Sequence, residues 1–397
     1  MGAFTFHTAG ETHGPALVAV VEGVPAGVSV RAEAINRELA RRQVGYGRGE
    51  RMKIERDEVE ILSGVRFGKT LGGPVALLIR NRDWVNWREK MAATGSGKGI
   101  VPLSTARPGH ADLAGVLKFG HGDVRNVLER ASARETAARV AASALARGFL
   151  EQVGIRVAGQ VLSIGKVRVP RNVEGDWGSA VRSEGSELRM SDPVAAARAA
   201  SLIDRARKAG TSAGGTVEAI ARGVPPGLGS FVSWDRRLDA RLGQAVMSIP
   251  AVKAVEIGGG IGLSALPGNR VHDEVFPGRR RGNPLLGKVS LPFHRKTNRA
   301  GGLEGGMSNG EPVIVRAAMK PIPTQSRPLR TVVIGTWGRA AAHRERSDVC
   351  AVPACSVVVE AMTAVVLADA FLEKFGGDSM REIQYNYAHY LRDVDAR

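Results

Sequence analysis

Cys350 and Cys355 are the chain's two thiols among 397 residues. Their spacing lacks the paired ligands of a zinc site, so no metal site is expected. So few thiols in so long a chain point to a reducing cytoplasm and to buried, apolar roles for both. Aromatic residues make up only 5%, too few for a convincing base-stacking surface. Uninterrupted apolar runs are short. The longest apolar stretch, 357–371, is broken by Glu360 and Asp369 and reads as an amphipathic helix, so no membrane span is expected. No basic segment precedes an apolar one near residue 1, which argues against a secretory signal. Phe6 stands where a myristoylation site needs Ser or Thr.

Cations, by contrast, are abundant: Lys+Arg 56 against Asp+Glu 39 gives a net charge of +17. They are scattered through the chain and form no tail. Nucleic acid, an anionic membrane or small anions could each answer that charge. With aromatics scarce and no span, small anions are the better reading, and a basic nucleic-acid-binding protein is the rival. A hydrophobic content of 43% over this length allows a large core.

Apolar runs at 16–22, 59–62 and 74–79 predict strands, and Ile35 and Leu39 share one face of a helix over 33–42. An Ala-rich segment at 135–150 has high helix propensity. The pattern then recurs. Gly23-Val24-Pro25-Ala26-Gly27 returns as Gly223-Val224-Pro225-Pro226-Gly227, again after a strand-like run (216–221) and before a helical one (238–247). Val59-Glu60-Ile61 is echoed by Val255-Glu256-Ile257, and Pro74-Val75 by Pro312-Val313, in the same order. We read one domain over 1–397 built from two related halves, about 8–160 and 205–370. Polar stretches at 81–105, 165–191 and 268–310 read as long loops, the last carrying Arg279, Arg280 and Arg281.

Two nucleotide-binding patterns fail on their context. Gly260-Ile261-Gly262-Leu263-Ser264-Ala265 is followed by Pro267-Gly268, which blocks the helix a pyrophosphate needs. Gly95-Ser96-Gly97-Lys98 lacks the first glycine of a P-loop. Other motifs carry more chemistry. Gly10-Glu11-Thr12-His13-Gly14 should expose His13 on a tight loop, as a proton carrier or as a structural histidine. Arg42 and Arg48 flank a Gly-rich turn that suits a two-armed clamp on an anion. Arg107, His110 and Asp112 project from a Pro-Gly corner, and Arg130, Ser132 and Arg134 precede the Ala-rich helix. Guanidiniums grip carboxylates and phosphates with paired hydrogen bonds, and imidazoles exchange protons near neutrality. Asp348 reads either as the cap of the C-terminal helix or as a base beside Arg346.

Together these motifs resemble the chorismate synthase family from residue 8 to about 370. Its signatures are matched by residues 10–14, by 129–139 with Ser132-Ala133-Arg134-Glu135-Thr136, and by Arg346-Ser347-Asp348-Val349-Cys350-Ala351-Val352-Pro353. The resemblance implies an α+β fold, a β-α-β sandwich built from an internal repeat, assembled as a cytoplasmic homotetramer. It implies a lyase that converts 5-enolpyruvylshikimate 3-phosphate to chorismate by 1,4-elimination of phosphate. This is the last step of the shikimate pathway to aromatic amino acids, and it uses reduced FMN without net redox change. Substrate ligands would be Arg42, Arg48, Arg107 and Arg134. His13 would protonate the departing phosphate, His110 would stabilise the reduced flavin, and Asp348 would assist proton removal through flavin N5. Flavin contacts would fall at Arg130, Ala131, Ser132, Gln244, Ala245, Gly305, Lys320, Pro321, Ile322, Pro323, Thr324 and Arg346. Thr12 and Ala131 stand where serine is commoner in the family.

Overall fold

The computed structural model describes residues 3–49, 55–281, 290–345 and 347–396. Strands β1 (Thr5–Ala9) and β2 (Ala16–Glu22) lead to helix α1 (Ala32–Gln43), then β3 (Val59–Ile61) and β4 (Val75–Arg80). Helix α2 (Thr136–Gln152) follows, before β5 (Arg156–Ile164) and β6 (Gly215–Arg222). Helix α3 (Leu238–Met247), β7 (Val252–Ile257), β8 (Val313–Met319) and helix α4 (Val352–Phe375) complete the framework. The first sheet has the antiparallel order β1-β2-β4-β3, and the second has β5-β6-β8-β7, with Val167–Arg168 added beyond β5. Each sheet therefore joins its first, second, fourth and third strands in that order.

The turns that leave β2 and β6 also agree. Gly23 and Gly223 have φ of 77° and 80°, and Gly27 and Gly227 have 90° and 85°. A Cβ on Gly23 would lie 1.6 Å from the Ala3 carbonyl oxygen, and one on Gly223 would lie 2.2 Å from that of Gly154. Only glycine fits either corner.

Alternation decides which faces are buried. Leu17, Ala19 and Val21 of β2 and Val75, Leu77 and Ile79 of β4 point inward, onto α2, while α1 packs on α2 and β3. Helix α4 packs on α2 and on the second sheet, so the helices lie between two sheets and the fold is a β-α-β sandwich. Trp177–Arg182 covers the outer side of the second sheet, which explains why β5 is buried at nearly every position.

Helix α4 corrects the amphipathic expectation. By length and composition it could cross a membrane, but 94% of its apolar window is buried inside this protein. Its two polar interruptions are neutralised locally. Glu360 receives Arg41, Arg147 and Arg189, and Asp369 receives Arg241 and the Phe4 backbone N–H. Two of the expected long loops are also partly regular. Residues 165–191 contain the Val167–Arg168 strand and the 177–182 helix. Within 268–310, Val275–Arg281 pairs with Ser290–Arg295, with an irregular register between Pro277 and Arg280 that accommodates the proline. Arg279, Arg280 and Arg281 thus lie on a strand. The 81–105 segment is mostly irregular after a short 3-10 turn at Arg82–Asn86.

Candidate active site

One cavity of about 510 Å³ opens where α1, α2, α4, the segments after β1 and β8 and the segment before β7 meet. Arg42, Arg48, Arg107, Arg134 and Lys320 line it, with His13, His110, Glu345 and Asp348. Leu128, Ile249, Met319, Ile322, Ala354 and Val358 form an apolar wall. Cations facing such a wall suit a flat ring system that carries acid groups.

The guanidiniums are held from behind by carboxylates. Arg42 leaves the last turn of α1 and binds Asp57 at 2.7 Å. Arg134 meets the other Asp57 oxygen and donates to Asn81 Oδ1 from Nε at 3.1 Å and Nη2 at 2.9 Å. Burial and the neighbouring Arg134 and Arg48 push the Arg42 guanidinium down against the pull of Asp57. Burial favours a neutral Asp57, yet Arg42 and Arg134 hold its carboxyl below the ordinary range. Arg48 pairs with Asp348 at 2.6 Å, and the Gly49 N–H donates to the second Asp348 oxygen at 2.7 Å. Asp348 is therefore held from the Arg48 side. Ala351, not Asp348, occupies the N-cap position of α4.

A second group forms at the Pro108-Gly109 corner, where Gly109 has φ of 81°. Asp112 accepts Arg107 Nε at 2.8 Å and the Arg107 backbone N–H at 3.0 Å, and it also meets His110 Nδ1. Burial works to raise the Asp112 carboxyl, but His110 and Arg107 hold it well below the usual range. Arg107 Nη1 donates to Thr324 Oγ1 at 3.1 Å, and Lys320 Nζ donates to the Gly109 carbonyl at 2.6 Å. The corner is thereby tied to the strand β8 exit.

His13 departs from its expected exposure: it is only 6% exposed. Its Nδ1 lies 2.8 Å from Glu129 Oε1, its backbone N–H donates to Oε2 at 2.8 Å, and its ring stacks on Trp87 at 3.9 Å. The Thr12 hydroxyl donates to the Glu129 carbonyl at 2.8 Å. Ser132 accepts the Arg134 backbone N–H and caps a 3-10 turn ahead of α2.

Of the positions expected from sequence, His13, His110, Asp348, Arg42, Arg48, Arg107, Arg134, Ala131, Ser132, Lys320, Ile322, Pro323 and Thr324 line this cavity. Arg130, Gln244, Ala245, Gly305 and Pro321 do not. Arg130 is exposed and donates to the Thr8 carbonyl at 2.8 Å, Gln244 and Ala245 lie on α3, and Gly305 sits in the turn after Leu303–Glu304. Arg346 lies outside the described residues. Asp57 had no signal in the sequence, Asn81 and Trp87 lay in a long polar stretch, and Glu345 stood beside Arg346 and Asp348 without a role. Glu129 stood within a quoted signature without a role.

Fold and cavity together define an enzyme for a small, multiply anionic substrate. The family model described as chorismate synthase matches residues 4–372. A chorismate synthase of Desulforudis audaxviator is 56% identical over 394 residues, covering 98% of this chain and 97% of that protein. One of Geobacter sulfurreducens is 54% identical over 390 residues, covering 98% of each. A chorismate synthase crystal structure superposes with a TM-score of 0.79 at 42% identity, covering 99% of both chains. This chain belongs to the chorismate synthase family. It is a carbon–oxygen lyase of the shikimate pathway, converting 5-enolpyruvylshikimate 3-phosphate to chorismate and phosphate. The nucleic-acid rival has no support.

Proposed function

We propose that the cavity binds the substrate beside reduced FMN and that the elimination runs on residues of its two walls. The carrying observation is the convergence of His13, His110, Arg134 and Asp348 on one hollow. Its residues fit a flavin: the apolar wall suits a ring system, and Arg42 Nε is buried with no hydrogen-bond partner among the described residues, ready for an anionic oxygen. Ala131, Ser132, Lys320, Ile322, Pro323 and Thr324 would hold it, aided by Arg130, Gln244, Ala245, Gly305, Pro321 and Arg346. When bound, reduced flavin supplies electron density as the C–O bond breaks and regains it as the C–H bond breaks, without net redox change.

Arg42, Arg48, Arg107 and Arg134 hold the two carboxylates and the phosphate. His13 gives a proton to the departing phosphate oxygen. His110, steadied by Asp112, would stabilise the reduced ring, and Asp348 would assist the removal of the substrate proton. The shared strand order and glycine corners support two duplicated halves, about 8–160 and 205–370, within one domain. A cytoplasmic homotetramer completes the reading. Phe231, Val232 and Trp234 are at least 70% exposed and offer apolar surface for assembly.

An anaerobic phosphate-release assay tests the chemistry. Protein with FMN and a reductant should turn over, and protein with oxidised FMN alone should not. His13→Ala should slow turnover by a factor on the order of a hundred or more. Wild-type rates in that variant would refute the proton-donor role.

A further inference from the structure

The geometry assigns Glu129 as the positioning residue of His13: its carboxylate fixes the imidazole as the Nδ1–H tautomer and leaves Nε2 as the only nitrogen that exchanges protons with the cavity. The catalytic consequence rests on the proton-donor reading of His13 given above. Glu129 is 2% exposed, on the helix Arg125–Ala131. It touches the histidine at two points, accepting the His13 backbone N–H at Oε2 and lying 2.8 Å from Nδ1 at Oε1. Arg125 Nη1 also donates to Oε1, at 2.9 Å. Burial works to raise the Glu129 carboxyl, but hydrogen bonds from His13 and Arg125 hold it below the ordinary range. An ionised carboxylate has no proton to give, so the hydrogen on the Nδ1–Oε1 axis belongs to the ring.

Trp87 and the cations around it limit how the ring can turn. Trp87 stacks on it with an interplanar angle of 19°. The Arg125 guanidinium lies 4.8 Å from the Trp87 ring, Lys90 Nζ lies 5.4 Å from it, and Arg125 also reaches Glu345 at 3.5 Å. A half-turn flip of the imidazole would keep the stack but put a C–H in place of Nδ1 against Glu129. When the C–O bond of the substrate breaks, its electron pair leaves on the phosphate oxygen. The proton it receives comes from Nε2 of the doubly protonated ring, which this transfer leaves neutral with Nδ1–H still on Glu129. The arrangement follows the logic by which a buried carboxylate orients a catalytic imidazole elsewhere.

Nitrogen-15 NMR of histidine-labelled protein, at a pH where the ring is neutral, reads the tautomer directly. Wild-type protein should show Nδ1–H at His13. In Glu129→Gln the amide can donate to Nδ1, so the proton should move to Nε2. That variant should keep its melting temperature to within a few degrees and its KM to within about threefold, while kcat falls on the order of 10²- to 10⁴-fold. Glu129→Asp, which keeps the acceptor, should retain the Nδ1–H signal. An Nε2–H signal in wild-type protein, or an unmoved Nδ1–H signal in Glu129→Gln, overturns the assignment, and the wild-type spectrum decides even if the variants fail to fold. A moved proton with unchanged kcat in both Glu129→Gln and His13→Ala would leave the tautomer assignment standing and sink the proton-donor reading instead.

Discussion

Glu360 is the carboxylate on which the centre of the sandwich depends, and its removal should be felt both in stability and in its pH dependence. The side chain is fully buried on α4. Arg41 donates to it at 2.8 Å and Arg147 at 2.9 Å, with Arg189 on its other oxygen. Burial acts to raise its pKa, but Arg41, Arg189 and Arg147 bring it from 4.5 down to about 2. A lowered carboxyl contributes stability that is whole above 4.5 and is lost as pH falls toward 2. Each pH unit in that window is worth about 1.4 kcal/mol, so the full contribution is roughly 3 kcal/mol. Glu360→Gln leaves three guanidiniums facing Glu38 and Glu184 alone, a loss of about 3–5 kcal/mol for a broken buried pair. Urea titrations at pH 7, 5, 4 and 3.5 should show the variant weaker by that amount at pH 7. The gap should shrink by about 1 kcal/mol between pH 4.5 and 3.5, since the unfolded carboxyl is already half protonated at 4.5. Equal stability at pH 7, or a gap that stays constant below pH 4.5, would refute the reasoning. The effect should reach the cavity too, because Arg41 anchors the turn of α1 from which Arg42 projects.

Two further outcomes follow from the site. Arg107→Lys loses the fork that spans Asp112 and Thr324, and steady-state kinetics should show KM for the substrate rising about tenfold to a hundredfold, the worth of one charge-assisted contact; an unchanged KM would remove Arg107 from the anion grip. Burial pushes the Cys350 thiol up to about 11 and the Cys355 thiol up to about 12. A chromogenic disulfide reagent at pH 8 should therefore titrate neither in native protein and both in denaturant, and rapid native labelling would contradict the burial.

The sheet framework was legible because period-two alternation and repeated Gly-Pro corners are local signals. The 16–22 and 238–247 elements lie at the boundaries expected, and the glycines at 23, 27, 223 and 227 occupy the left-handed conformations their pattern demanded. The short helices at 112–119 and 125–131 went unread, since each offers only two turns or so of periodicity. Helix α4 was misjudged for a different reason. Two acidic residues look like a wet face until distant arginines are brought to them, and Arg189, itself at a left-handed φ of 52°, is 171 positions from Glu360. Ion pairing across that separation leaves no trace in a local window.

The same asymmetry governs the site. Its arginines were visible because they cluster with glycine and proline, but the carboxylates that hold them were not. Asp57 sits beyond the end of α1 in a segment without periodicity, and only the fold brings it between Arg42 and Arg134. Those partners explain how so many cations share one hollow. Guanidiniums crowded in a buried space are costly: burial first, and then the charges of Arg134 and Arg48, push Arg42 down. Asp57, Asp348, Asn81 and Thr136 hold these guanidiniums from within the protein, an arrangement that lowers the ordering an incoming polyanion would have to impose. A cavity lined by unpaired arginines would bind anions more tightly still, but it would hold product phosphate as firmly as substrate. On the proposed assignment of the arginines to the substrate, pairing each guanidinium with an internal carboxylate keeps the grip strong enough to orient a polyanion and weak enough to release the phosphate the reaction creates.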